Sequence, residues 1–346
     1  MRILIFTNYN RYLATHEAFK LDLFEDWHKR FGLDFFIRIS EPVDIDYHKY
    51  PNFYFTSVAP EKTELKKHID EALKKFKPQR VINFLEKFFP FNLVETDAEK
   101  IYFVRSCAAK LLQRLESFNN ESQQFYNCLN RYKELAEREK KLLNLSDRYL
   151  TTSITSVNAV KELYGIECEL CLEFINPTKY REVDYGLNKN LVYNIGRRDF
   201  QKGLQFVKSP ENTKFISIGK KEVGADECVN KNIECLDVLD FNEYRSIIQE
   251  CVYGIYPSIW ESNGYAVQEC LAMGKIPIVQ KNSGGNERHL TKDNSFVIDF
   301  NLGNTSWEQI IEQNLNFRPM QEAAKEAITF TMHNNSLEQF IEKIHT

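Results

Sequence analysis

Short apolar runs recur along this chain with helix-length amphipathic stretches between them, and that alternation narrows the fold more than any other feature. The first series is RILIF (2–6), LDFFIR (33–38), FYFT (53–56), RVINF (80–84) and IYFVR (101–105). A second begins later with LVYNI (191–195), KFISI (214–218), YGIYP (253–257), IPIVQ (276–280) and SFVID (295–299), with helical patterns at 241–252 and 264–273. Strands that are apolar on both faces belong in parallel sheets covered by helices on either side. A chain of 346 residues also exceeds the usual size of one core. The expectation is therefore α/β, with two Rossmann-like domains.

Residues 108–147 are rich in charge with helical periodicity, and read as one or two long surface helices. Residues 172–190 carry the Asn176-Pro177 break in a polar stretch without apolar rhythm, as a linker does, so a hinge is expected near 173–180. This divides the chain into an N-terminal domain at 1–173 and a C-terminal domain at 174–329. The tail from 318 to 346 reads as two helical segments broken around His333 to Asn335. No internal repeat of 20–50 residues is evident.

Composition excludes several classes. With 43% apolar and 27% charged residues the chain is globular, and its net charge of −4 argues against a nucleic-acid partner. MRILIFTN has no secretory pattern and no run approaches the ~20 apolar residues of a membrane span, so a cytoplasmic location is expected. The cysteines at 107, 128, 168, 171, 228, 235, 251 and 270 read as reduced thiols. Cys168 and Cys171 form one CxxC without a second ligand pair at finger-like spacing, so no metal is expected there and the reading is small buried side chains.

In doubly wound sheets ligands lie beyond the carboxyl ends of the strands. Three polar loops follow strands of the second series. In YNIGRRDFQKG, Gly196 permits a tight turn, Arg197 or Arg198 can fork onto a phosphate, and Lys202, followed by Gly203, converges on the same dianion. In YPSIWESNGYAVQECLAMGKIPIVQ, Glu261 stands on the loop, Gly264 permits close approach to the helix N-terminus, and Glu269 lies within the helix. Ionised carboxylates accept only, and sugar diols donate in pairs, so this spacing suits a sugar and a ribose. In SGGNE, Gly284 and Gly285 again follow a strand and precede a helix.

Taken in this order, the three loops resemble the nucleotide-sugar site of GT-B glycosyltransferases, in particular the large retaining family 4. The resemblance covers 191–290 and includes LSDRYLTTSITSVNAVKELYG (145–165), which looks like the family's last N-domain strand and helix; before 145 it is architectural. It implies two Rossmann-like domains facing a central cleft, with a C-terminal helix at 330–346 crossing back to the N-domain. It implies that Arg197 and Lys202, after Gly196, neutralise the donor diphosphate, that Glu261 holds donor-sugar hydroxyls, and that Glu269 grips the ribose. Backbone amides of Asn263, Gly264 and Tyr265 would touch phosphate or sugar, and backbone near Val238 and Leu239 the base. It further implies a UDP- or GDP-sugar donor, no required metal or other cofactor, a glycan or lipid-linked acceptor bound by the N-domain, and transfer with retention in cell-surface polysaccharide or lipopolysaccharide assembly.

The N-terminal half departs from that pattern. TNYNRYLATHEAF (7–19) lacks the family's glycine pair, leaving Asn8, Tyr9, Asn10 and Arg11 to make its contacts, and Ser106-Cys107 stands where members often carry a histidine, for which His16 is a candidate substitute. Lys66, Lys67, Lys74, Lys75, Lys77 and Arg80, with FFPF (88–91) and REKKLL (138–143), suggest peripheral contact with anionic lipid on the inner membrane face. Two rivals stand beside the transferase: a non-catalytic bilobal sugar or nucleotide binder derived from such an enzyme, and an NAD-dependent oxidoreductase. The latter is disfavoured because no G-x-G-x-x-G follows any strand.

Overall fold

Runs such as IPIVQ have no polar face to offer water, so they are stable only between layers. A computed structural model of the protein describes residues 1–9, 21–39, 45–56, 60–84, 90–104, 107–118, 122–178, 180–207, 212–220, 233–300, 307–314 and 316–346. In it the first series becomes β1 (Ile3–Tyr9), β2 (Leu33–Ile39), β3 (Phe53–Phe55), β4 (Arg80–Asn83) and β5 (Glu99–Val104), continued by β6 (Arg148–Thr151) and β7 (Glu169–Leu170). Their order is β3-β2-β1-β4-β5-β6-β7, parallel throughout. The second series becomes β8 (Asn188–Ile195), β9 (Lys214–Ile218), β10 (Ile233–Leu236), β11 (Cys251–Tyr256), β12 (Ile276–Gln280) and β13 (Phe296–Ile298). This sheet runs β10-β9-β8-β11-β12-β13, also parallel, and reverses its winding between β8 and β11. The described helices are α1 (Leu21–Phe31), α2 (Lys62–Phe76), α3 (Ala108–Glu116), α4 (Gln123–Leu143), α5 (Ile154–Tyr164), α6 (Phe241–Ile248), α7 (Tyr265–Ala272), α8 (Trp307–Gln313), α9 (Arg318–Glu326) and α10 (Phe330–His345).

Several expectations are corrected. The charged stretch at 108–147 forms two helices that are not merely superficial: Leu111, Leu115, Phe125, Leu135, Leu142 and Leu143 are buried in the first domain's core. Glu139, fully buried, accepts from the Ala108 amide at 3.2 and 3.0 Å and from the Tyr164 hydroxyl at 2.9 Å. Cys107, the N-cap of α3, makes no side-chain cap, so Glu139 meets the orphan amide and positive end of that helix from α4. The linker is partly structured, since Tyr180 and Val183 are buried and β8 already begins at Asn188. β6 and α5 fall within 145–165, but β7 lies beyond β6 at the sheet edge, so β6 is not the last strand.

The tail breaks at 327–329 and not at His333 to Asn335, which lie inside α10. Thr329 caps that helix by accepting from the Met332 amide at 3.2 Å, which starts the helix ahead of the asparagines. α10 crosses back to the first domain: Phe340 meets Phe84, Phe103 and Trp27 with ring centroids 5.8, 5.6 and 5.9 Å apart, and Arg80 donates to the Ile344 carbonyl at 2.8 Å.

The basic cluster is only partly paired with carboxylates. Lys66 pairs with Asp70 at 2.5 Å and Glu95 at 3.4 Å, Lys75 donates to the carbonyls of Pro51 and Phe53, and Arg80 pairs with Glu99 at 2.5 Å. Phe91 is core, while Phe88 and Phe89 fall outside the described residues, as do Asn10, Arg11, His16 and Ser106. Cys168 and Cys171 are buried, and burial pushes both thiols up to about 12, which suits packing and not reactivity. Among the described residues no helix is long and apolar enough to cross a membrane.

Candidate functional site

The loops after β8 and β11 leave the second sheet at its reversal point, where the crevice of a doubly wound sheet opens. After Ile195 the chain passes through Gly196 into a 3-10 turn at Phe200–Lys202, capped by Asp199, whose side chain accepts from the Lys202 amide at 3.1 Å. The loop from β11 is bound to it, since Ile259 N donates to the Gln201 carbonyl at 2.8 Å. This brings Lys202 to Glu261, with Nζ and Oε1 2.5 Å apart and each side chain about one-fifth exposed at 19% and 18%.

The two arginines divide their work. Arg198 is buried, with Nη1 on the Leu236 carbonyl at 2.5 Å and its amide on the Lys220 carbonyl at 2.9 Å, so it ties the β8 loop to the end of β10. Arg197 is 41% exposed, 3.6 Å from Asp199 and 3.4 Å from Gln201. It is the arginine with reach into the cleft. Gln201 itself was not anticipated. Its Oε1 accepts from Tyr132 of α4 at 2.5 Å and its Nε2 donates to the Trp260 carbonyl at 3.1 Å, so one amide joins both domains at the site.

Glu261 sits between two loops that are zipped together. Its amide donates to the Ser283 carbonyl at 2.8 Å, and its carbonyl accepts from Gly285 at 2.6 Å. Gly264, the N-cap of α7, has φ +67°, and a Cβ there would lie 2.6 Å from Asn286 Oδ1 and 2.8 Å from Asn286 Cα. The close approach that this glycine permits is therefore to Asn286 and not, on its α-carbon side, to a ligand. The last three residues of SGGNE, Gly285–Glu287, form a 3-10 turn and no α-helix follows them directly; a Cβ on Gly284 would come within 2.5 Å of the Glu261 carbonyl oxygen.

The side chains around the start of α7 are committed to the inter-domain linker. Asn263 Nδ2 donates to the Glu173 carbonyl at 3.0 Å, Tyr265 donates to the Glu173 carboxylate, and Gln268 accepts from the Ile175 amide at 3.1 Å. Arg288 donates to Asn263 Oδ1 at 2.9 Å and to the Thr152 carbonyl of the other domain at 3.2 Å, and stacks on Phe174 at 4.3 Å. Burial lowers Arg288 to about 10 and, with Arg288 beside it, His289 to about 4. A ligand contact by Asn263 or Tyr265 would have to use the backbone.

Glu269 is buried on the second turn of α7, and its Oε1 accepts from the Tyr180 hydroxyl at 2.9 Å. Tyr180 meets Phe241 edge-on at 5.6 Å, and Leu236, Leu239 and Phe241 pack into the same cluster. Val238 and Leu239 are half-buried on the loop between β10 and α6. The structure thus sets Lys202 beside Glu261, with Arg197 on the Lys202 loop, and places Glu269 with Tyr180 next to the segment holding Val238 and Leu239. Cations beside a polyol acceptor, followed by a buried carboxylate and an apolar wall, are a donor set for an anionic, hydroxyl-rich ligand ending in a ring. Among the described residues no group of three or more His, Cys, Asp and Glu forms a metal site.

No family model matches the chain, and no curated protein matches it in sequence. Solved structures match over nearly its whole length. Sucrose-phosphate synthase from Thermosynechococcus elongatus is 12% identical with a TM-score of 0.72, covering 100% of this chain and 99% of its own. HepE from Anabaena, solved in complex with UDP-glucose, is 12% identical with a TM-score of 0.64 over 98% of this chain and 99% of its own. WaaG, a glycosyltransferase involved in lipopolysaccharide biosynthesis, is 15% identical with a TM-score of 0.59 over 96% and 95%. At these identities the likeness is one of architecture: two parallel-sheet domains face a cleft, and the last helix returns to the first domain. The chain has the GT-B fold of glycosyltransferases.

Proposed function

We propose that the protein is a retaining glycosyltransferase, with residues 1–173 binding the acceptor and 174–329 the nucleotide-sugar donor. The observation that carries this is the Lys202–Glu261 pair at the reversal point of the second sheet, with Arg197 on the same loop as Lys202. In this reading Arg197 and Lys202, across Gly196, hold the diphosphate, Glu261 and the backbone of Asn263, Gly264 and Tyr265 hold the donor sugar, and Glu269 takes the ribose diol. The base lies against Val238 and Leu239. The bond from anomeric carbon to diphosphate oxygen breaks, its electron pair leaving with the diphosphate. The acceptor oxygen bonds to the same face of that carbon, and its proton passes to the departing phosphate oxygen. Arg197 and Lys202 stabilise the growing negative charge, so each is a catalytic residue, and no metal is required.

UDP is the favoured nucleotide because a neighbour of the same fold was solved with UDP-glucose, and a GDP-sugar is the alternative. A glycan or lipid-linked acceptor in cell-surface polysaccharide or lipopolysaccharide assembly fits the company of WaaG. A cytoplasmic protein with peripheral membrane contact is part of the reading, resting on Lys67, Lys74, Lys75 and Lys77, the exposed members of the basic cluster.

A panel of UDP-, GDP-, ADP- and dTDP-sugars tests it, scored for binding and for release of nucleoside diphosphate. Glu269→Ala should weaken donor binding by roughly 10- to 100-fold, the worth of a hydrogen bond to a charged group. Arg197→Ala should cut turnover by about 100-fold or more. Binding without release favours the non-catalytic rival, and no binding to any donor ends the transferase reading.

A further inference from the structure

The first domain's side of the cleft has no legible motif, but it has an open pocket. This pocket of about 570 Å³ lies between α3 and the loops that follow β11 and β12. That is the size range of small-molecule sites. Lys110, Gln113, Arg114 and Ser117 line one wall, spaced i, i+3, i+4 and i+7 so that they share one face of α3. Trp260 and Glu287 line the other, with Gly284 between them.

The position is informative. Trp260 precedes Glu261, and Gly284 forms a β-bridge with Glu261, so the cavity begins behind the residue assigned to the donor sugar. Its charge is informative too. Lys110 is paired with Glu162 at 2.9 Å, whereas Arg114 makes no ion pair within 4 Å among the described residues, and its Nε is shut off from solvent with no hydrogen-bond partner. Glu287 accepts from the Ser283 amide at 2.7 Å and from the Asn282 backbone, feels the charge of Arg114, and as a carboxylate keeps further lone pairs for a hydroxyl. α3 is held in place by Glu139 at its first turn.

We propose that this cavity seats the acceptor, and that the acceptor is a sugar bearing an anionic group, phosphate or carboxylate, held by Arg114. Glu287 takes a hydroxyl of the same ring, and Trp260 supplies the apolar wall. The assignment rests on the transferase reading for the word acceptor, but the site itself is testable alone.

Glucose 6-phosphate, glucuronate, glucose and inorganic phosphate are titrated against the full chain, followed by intrinsic fluorescence because Trp260 lines the cavity, with UDP titrated separately. One or both anionic sugars should bind at least tenfold more tightly than glucose or inorganic phosphate; which of the two binds tells phosphate from carboxylate. Arg114→Gln should weaken that binding at least tenfold and leave UDP binding within twofold. Gln113→Trp, which fills the cavity from an exposed position, should abolish it with the same indifference to UDP. The proposal is overturned if UDP binds but neither anionic sugar does, or if both variants bind the sugar as the parent does. Arg114-dependent sugar binding without any UDP binding keeps the site and ends the transferase reading instead.

Discussion

Replacing Gly264 by alanine should cost much more than the same change at Gly165, although both have nearly the same backbone. Their φ angles are +67° and +69°. Each substitution pays about 1–2 kcal/mol for an L residue in the left-handed region, and each recovers some tenths by restricting the unfolded chain. Those contributions cancel in the comparison. What differs is the surroundings: nothing lies within 4 Å of a Cβ at Gly165, whereas at Gly264 it would meet Asn286 Oδ1 at 2.6 Å and Cα at 2.8 Å. The side-chain atom can move, but the Cα cannot without carrying the 283–287 loop with it. Overpacking of that kind costs about 1–3 kcal/mol, so Gly264→Ala should be the less stable variant by that margin. At roughly 2–4 °C per kcal/mol for a unit of this size, calorimetry should show the second domain of Gly264→Ala falling about 2–12 °C further from its wild-type melting point than the first domain of Gly165→Ala falls from its own. Donor binding should fall only in Gly264→Ala, because the displaced loop is zipped to Glu261. Equal drops in the two domains' melting temperatures would show that the two loops are not held by this contact.

Two further outcomes follow from buried groups. His289 has a folded pKa of about 4 against an ordinary 6.5, so the unfolded chain takes up the extra proton first, and stability is lost as pH falls from 6.5 towards 4. The loss is on the order of 2 kcal/mol after discounting for the ring's partial exposure; His289→Phe keeps the ring against Phe174 and should flatten that segment of a denaturation-against-pH profile. Glu139→Ala leaves the start of α3 and the Tyr164 hydroxyl without their acceptor and should cost about 2–4 kcal/mol in urea denaturation, with amide exchange rising first at Ala108.

The strands were legible where burial on both faces left an unbroken apolar run: KFISI and IPIVQ became β9 and β12 with the same ends. β7 has two residues, too few to show any period, and β10 is an edge strand whose exposed Glu234 and Cys235 disguise it. Gly196, Lys202, Glu261 and Glu269 stand out as candidates because each lies on or just beyond a loop after a strand, at a local spacing, and the structure sets Lys202 against Glu261. Gln201, Tyr180, Glu139 and Arg288 were not, because their meaning lies in partners 25 to 136 residues away, such as Tyr164 for Glu139 and Thr152 for Arg288. The misplaced break in the tail has a similar cause. Two asparagines look like a stop in isolation, but α10 is paid for by Phe340 and Ile344 against another domain's core.

The chain passes between its halves twice, at Glu173–Ile175 and again just before α10, and the two crossings touch: His333 Nδ1 and the Phe174 carbonyl are 3.0 Å apart. Covalent ties set side by side act as the pins of a door. They resist sliding at that point, so a relative motion of the two halves is expected to be a swing about the line through Phe174 and His333. Asn263, Tyr265 and Gln268 are bonded to that line, so the start of α7 travels at small radius and keeps its shape as the angle changes. The Tyr132–Gln201 bond, the reach of Arg288 to Thr152, and the packing of Phe200 on Phe125 and of Phe206 on Phe118 join the halves away from that line, so a swing has to part polar and apolar contacts together.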